Sequence, residues 1–123
     1  MSNTKILVID DDPDILESIS IILKSEKFTV ITATDGQEGF EKFKSEKPAL
    51  ILCDMMMERI DSGSKVAAMI RKEDKNIPLY LLSSIGDATA TTTELSNLGF
   101  TGSLQKPVDP KSLITEIKNA LKL

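Results

Sequence analysis

The chain reads as one α/β domain over residues 1–123, built on a mainly parallel sheet with helices on both faces. Two features carry that reading. Five short apolar runs, Ile6–Ile9, Phe28–Ala33, Leu50–Cys53, Leu79–Leu82 and Phe100–Leu104, alternate strictly with amphipathic stretches. Three of the runs are apolar almost throughout, as strands buried on both faces must be. A sheet of that kind needs cover on each side, and right-handed crossovers leave few arrangements other than helices above and below it.

The elements follow in order. Ile6–Ile9 stops at Asp10; Asp12 then stands as an N-cap with Pro13 as the first helical residue. Ile15, Leu16, Ile19, Ile22 and Leu23 fall on one face of that helix. Phe28–Ala33 supplies the second strand. The next helix starts at Asp35, where Glu38 completes a capping-box spacing and Phe40 and Phe43 form the apolar side. Leu50–Cys53 runs into Asp54, and Val66, Ala67 and Ile70 mark a third helix. Leu79–Leu82 runs into Ser83 and Ser84. The threonine-rich stretch "GDATATTTELSNLG", Gly86 to Gly99, is expected to be a helix of modest propensity, with Ala88, Leu95 and Leu98 able to pack. After Phe100–Leu104, Asp109 and Pro110 repeat the cap-and-proline device. Leu113, Ile114, Ile117 and Leu121 then form the clearest amphipathic stripe in the chain.

Composition narrows the function. With 123 residues, 41% hydrophobic and 28% charged, the chain can bury a core without disulfide or metal staples. It contains no histidine and a single cysteine, Cys53, which excludes an internal disulfide, the usual zinc sites and His-based catalytic triads. Cys53 itself reads as a core thiol among apolar neighbours. A net charge of −4 and scattered lysines argue against direct nucleic-acid binding. No apolar run approaches membrane-spanning length and the start, MSNTK, lacks a secretory layout, so no membrane insertion and a cytoplasmic location are expected.

In open parallel sheets the working site lies beyond the carboxyl ends of the strands. Here those positions hold Asp10, Asp11 and Asp12, then Asp54, then Ser83 and Ser84, then Lys106. Carboxylates gathered so closely repel one another unless a cation neutralises them, and hard oxygen ligands suit Mg²⁺, with Mn²⁺ the alternative. The set points to metal-assisted phosphoryl chemistry in which Lys106 shields the transferring group. Neither glycine-rich phosphate loop matches, which argues against nucleotide binding. Without a histidine base, a carboxylate is the natural nucleophile, and Asp54, alone at the end of its strand, is the better candidate. Asp12 and Asp14 are placed as helix-cap and first-turn charges.

These residues resemble the receiver domains of two-component response regulators, in the style of the single-domain chemotaxis regulators. The motifs are "ILVIDDD", "LILCDMMM", "IPLYLLSS" and "LQKP", in this order and each at a strand end. The resemblance implies a flavodoxin-like sheet of order 2-1-3-4-5 with five helices on its two faces. It implies Asp54 as phosphoacceptor, and Mg²⁺ held by Asp11 directly, by Asp10 partly through water, by Asp54 and by the backbone carbonyl of Met56. Ser83 and Lys106 would each meet a phosphoryl oxygen, Ser84 belongs to the same switching strand end, and Pro107 would follow a cis bond that aims the lysine. The partners implied are a sensor histidine kinase or phosphotransfer protein and a downstream protein target. At most, the chain would catalyse its own phosphorylation and dephosphorylation, and no output domain is expected after Leu123.

Two positions depart from that family. Glu58 replaces a proline after the phosphoacceptor and Gly63 comes one position late, so a remodelled loop is expected. Ser103 stands where the family places its switch aromatic, with Tyr80 and Phe100 nearby in sequence. Two rival functions remain open at this level: a receiver-like docking module that works without phosphorylation, and a haloacid dehalogenase-type phosphatase using Asp10 and Asp12 as its D-x-D pair.

Overall fold

The computed structural model describes residues 4–54, 62–84, 99–106 and 108–122, with 62–65, 83–84 and 105–106 described by their backbone alone. Five strands, β1 (Lys5–Ile9), β2 (Thr29–Ala33), β3 (Leu50–Asp54), β4 (Leu79–Ser84) and β5 (Gly102–Lys106), form one sheet in the order β2-β1-β3-β4-β5. Every pairing is parallel. Among the described residues the helices are α1 (Pro13–Ser25), α2 (Gly36–Glu46), α3 (Ser62–Glu73) and α4 (Pro110–Leu121). The helix expected between Gly86 and Gly99 lies outside the described residues, except for Gly99.

Alternation along the strands splits the core into two layers. Leu7, Ile9, Ile51, Cys53, Leu79 and Leu81 face α2 and α3, packing with Phe43, Val66 and Ile70. Ile6, Val8, Leu50, Leu52, Tyr80, Leu82 and Leu104 face the opposite way, against Leu16, Ile19 and Leu23 of α1 and Leu113 and Ile117 of α4. β1 and β3 are buried along almost their whole length because both of their faces are covered. At Gly39 the approach of α2 to β1 is so close that a Cβ would lie 2.5 Å from Ile9 Cδ1. Only glycine lets the helix settle on the residue that precedes Asp10.

The caps are where the spacing placed them. Asp12 accepts from the Asp14 N–H at 2.9 Å, Asp35 from the Glu38 N–H at 2.7 Å and Asp109 from the Ser112 N–H at 2.9 Å. One detail differs from the capping box. Glu38 reaches past the cap residue and accepts from the Thr34 N–H at 2.8 Å and the Thr34 hydroxyl at 3.1 Å, while Lys42 pairs with its other oxygen at 3.3 Å.

Strand limits also shift toward the carboxyl edge. β3 takes in Asp54, β4 takes in Ser83 and Ser84, and β5 begins at Gly102 and runs on to Lys106. Phe100 stays out of the ladder because its ring is buried in the α2–α3 layer. Pairing of Ser83 with Gln105 and of Ser84 with Lys106 then carries the sheet two residues beyond its apolar stretch.

Candidate functional site

Parallel pairing brings every strand's carboxyl end to one edge of the sheet. Ile9 stands opposite both Ala33 and Cys53, and the next residue, Asp10, donates its N–H to the Ala33 carbonyl at 3.0 Å. Asp54 closes β3 opposite Leu82 of β4. Asp10 is fully buried and Asp54 only 9% exposed, whereas Asp11 is exposed. One carboxylate oxygen from each of Asp10, Asp11 and Asp54 lies within 4.8 Å of the other two. Asp12 stands apart from this group, since its side chain caps α1. The Asp12 N–H in turn donates to Asp10 Oδ1 at 2.9 Å, a local turn that orients the buried carboxylate.

Such a cluster is costly for a fold to keep. Burying carboxylates side by side takes charge out of water and sets like charges against one another. The neighbouring Cys53 reports the same field: burial, then the charges of Asp54 and Asp10, push its thiol pKa far up. Cys53 therefore stays protonated and unreactive, as a core thiol should. Three oxygen donors on rigid strand ends are the donor set a hard divalent cation takes, so the residues present fit Mg²⁺ or Mn²⁺.

The strands beside Asp54 bring the backbone of three further residues to the same edge. Asp54 pairs with Leu82, so Ser83 and Ser84 follow directly on β4, and Lys106 stands opposite Ser84 at the end of β5. Met56, Glu58 and Pro107 lie outside the described residues, and with them the metal-ligating carbonyl, most of the altered loop and the expected cis bond. Gly63 falls in the first turn of α3.

Ser103 pairs with Leu81 and is exposed. Neither nearby aromatic takes its place. The Tyr80 ring packs in the opposite layer, with Leu104, Leu113 and Ile117, and its hydroxyl lies 3.5 Å from Glu116 Oε2. Burial and the Glu116 carboxylate raise the Tyr80 pKa, so the phenol stays neutral. Phe100 precedes β5 and sits at the amino edge, next to Thr101, whose N–H donates to Leu79.

Sequence reasoning overlooks a polar group at that amino edge. Arg71, in the last turn of α3, donates from Nε to the Gly99 carbonyl at 2.8 Å, from Nη1 to the Asp74 carbonyl at 3.3 Å and from Nη2 to Thr101 Oγ1 at 3.5 Å. No motif announces it. The faint signal is an arginine ending an apolar helical face, with a glycine and a threonine heading a later strand.

Comparison with known proteins agrees with the geometry. The family model described as "Response regulator receiver domain" matches residues 6–118. The probable transcriptional regulator ycf27 of Porphyridium aerugineum is 36% identical over 122 residues, 99% of this chain and 50% of that protein. The transcriptional regulatory protein GlrR of Escherichia coli (strain K12) is 36% identical over 119 residues, 94% of this chain and 26% of that protein. The chain thus spans half or less of these relatives. Among solved structures, a response regulator receiver domain protein from Clostridium thermocellum superposes with a TM-score of 0.86 at 30% identity, covering 97% of this chain and 94% of that one. The chemotaxis response regulator CheY4 of Vibrio cholerae superposes at 0.83 with 26% identity, covering 95% and 98%.

Proposed function

Since the chain belongs to the response regulator receiver domain family of two-component systems, we propose that it is a signalling switch set by phosphorylation of Asp54. An Asp54 oxygen attacks the phosphorus of a phosphohistidine on a sensor histidine kinase or phosphotransfer protein. The new P–O bond forms as the P–N bond breaks, and the imidazole leaves on the donor protein. The donor must supply that histidine, because this chain has none.

The observation that carries the reading is the convergence of Asp10, Asp11 and Asp54 within 4.8 Å, on strand ends adjacent to those of Ser83, Ser84 and Lys106. Asp10, Asp11 and Asp54, with the Met56 carbonyl, would hold Mg²⁺ or Mn²⁺. When bound, the ion supplies positive charge against the phosphoryl and carboxylate oxygens. The Lys106 ammonium is assigned to one phosphoryl oxygen and the Ser83 hydroxyl to another. Charge added at Asp54 then draws on the ends of β4 and β5, and the population shifts toward a surface that a downstream protein target reads. Among the described residues no helix is long and apolar enough to cross a membrane. A cytoplasmic site of action belongs to the same proposal.

The test is intact mass after incubation with acetyl phosphate, with and without Mg²⁺, on the parent chain and on Asp54→Asn. A Mg²⁺-dependent gain of one phosphoryl group, lost in the variant, is the expected outcome. No gain in a folded, Mg²⁺-loaded sample would select the phosphorylation-independent docking module, the reading that the exposed Ser103 favours. Phosphatase chemistry through Asp10 and Asp12 is opposed by the commitment of Asp12 to capping α1.

A further inference from the structure

We propose that Arg71, Thr101 and the contact of Tyr80 with Gly102 form a clamp that sets the register of β5 and thereby positions Lys106. The proposal rests on the assignment of Lys106 to the phosphoryl group. It concerns the far end of the same strand.

Among the described residues β5 is an edge strand, hydrogen-bonded to β4 alone. Register in such a strand comes from its apolar pattern and its entry turn, and a slip of one residue turns every side chain to the other face. It would also move Lys106 along the strand by about 3.3 Å. The apolar pattern of β5 is weak. In "GSLQK" only Leu104 is a buried apolar anchor. Something else must hold the register.

Three contacts at the amino end do so. The Thr101 N–H donates to the Leu79 carbonyl at 2.7 Å, and the Leu79 N–H donates to Thr101 Oγ1 at 3.1 Å. The second bond runs through a side chain, so it forms only when a hydroxyl residue stands opposite Leu79. The Arg71 fork then joins Gly99, Asp74 and Thr101, and its planar donors tie α3 to the entry of β5. Gly99 has φ +97°, and a Cβ there would meet Arg71 Cγ at 2.9 Å, so this entry accepts no ordinary side chain. Finally, Gly102 stands opposite Tyr80, where an added Cβ would lie 3.1 Å from the ring atom Cε2. A slip in either direction would bring Thr101 or Ser103 beneath that ring. The ring lies over the strand's one glycine and so reads the register sterically.

The experiment compares Mg²⁺-dependent phosphorylation rates, read by intact mass with acetyl phosphate as donor. Thr101→Val keeps the side-chain shape and removes the hydroxyl; the expected slowing is about tenfold, below the roughly hundredfold that a full ~1 Å misplacement of a catalytic group can cost. Thr101→Ser keeps the hydroxyl and should restore the parent rate, and Arg71→Met should slow the reaction in the same sense as Thr101→Val. In a Lys106→Met background, Thr101→Val should add no further slowing, because the clamp acts through Lys106. A parent-like rate in folded Thr101→Val, or equal slowing with and without Lys106, would overturn the proposal. If Lys106→Met itself reacts at the parent rate, the assignment of Lys106 fails, and the clamp is judged by amide exchange at Leu104 and Gln105. Faster exchange there in Thr101→Val upholds the clamp, and unchanged exchange overturns it.

Discussion

At the carboxyl edge of the sheet the helices begin, and Asp12, Asp35 and Asp109 cap α1, α2 and α4; at the amino edge they end, with Lys24, Lys44, Arg71, Lys72 and Lys118 in their last turns. Lys27, Lys47 and Lys122 take up the left-handed backbone there, at φ 68°, 50° and 60°. Both edges obey the same rule, acids where helices start and bases where they stop, because the helix dipole favours each. Yet their charges differ in kind. The amino edge spends its charge on solvated pairs such as Lys118 with Glu26 at 2.9 Å, both side chains more than a third exposed. The carboxyl edge adds Asp10 and Asp54, buried side by side. Charges that satisfy a helix end stay near water, whereas the Asp10 and Asp54 carboxylates are held out of it, where the proposed cation would offset their mutual repulsion.

That contrast is open to test, beginning with its largest consequence. Saturating Mg²⁺ should raise the melting temperature of the parent, by the equivalent of about 2.7 kcal/mol at one hundred times the dissociation constant. Asp11→Asn, changed at an exposed position, should lose most of that rise while its metal-free stability stays close to the parent's. Differential scanning fluorimetry over a Mg²⁺ series decides, and a full rise in the variant would place the cation elsewhere.

A capping acid should behave in the opposite way. Asp35→Ala should cost about 1 kcal/mol in urea unfolding and leave the Mg²⁺ response intact. If it weakened the metal response as strongly as Asp11→Asn, the distinction between caps and cluster would collapse.

The smallest effect belongs to Glu38. Its carboxyl is held below the ordinary value of 4.5 by the Thr34 N–H first, then by Lys42 and the Thr34 hydroxyl. A carboxyl with a lowered folded pKa adds stability that is complete above the ordinary value and is lost as the pH falls through the lowered one. The stability gap between the parent and Glu38→Gln should therefore be steady near neutral pH and should close under acid, as followed by urea midpoints across a pH series. A gap independent of pH would show that the Thr34 contacts do not depend on the charge.

Much of this was legible in the residues, and the failures have physical causes. Pro13 and Pro110 behind their aspartates announced two helix starts, because proline's fixed φ and missing N–H suit only that position. The capping box at Asp35 was half right. The Glu38 side chain found the Thr34 N–H instead of the cap's own, which spacing cannot distinguish. The apolar run opening at Phe100 puts the start of β5 two residues early, because burial in the α2–α3 layer claims that ring. Gly39 gave no sign of its purpose, since a close approach between helix and strand exists only once both are packed.

What the sequence determined by itself was the alternation of strands and helices and the chemistry at each strand end, because both are written in local pattern: apolar runs, cap residues and the polar residues that stop them. Tertiary structure decided what those residues become together. It gathered Asp10, Asp11 and Asp54 within 4.8 Å, left Asp12 out, turned Tyr80 away from Ser103, and joined Arg71 to Thr101 across thirty residues of chain. Each is a relation between separate segments, set by register and packing, and no single stretch of sequence encodes a distance to another.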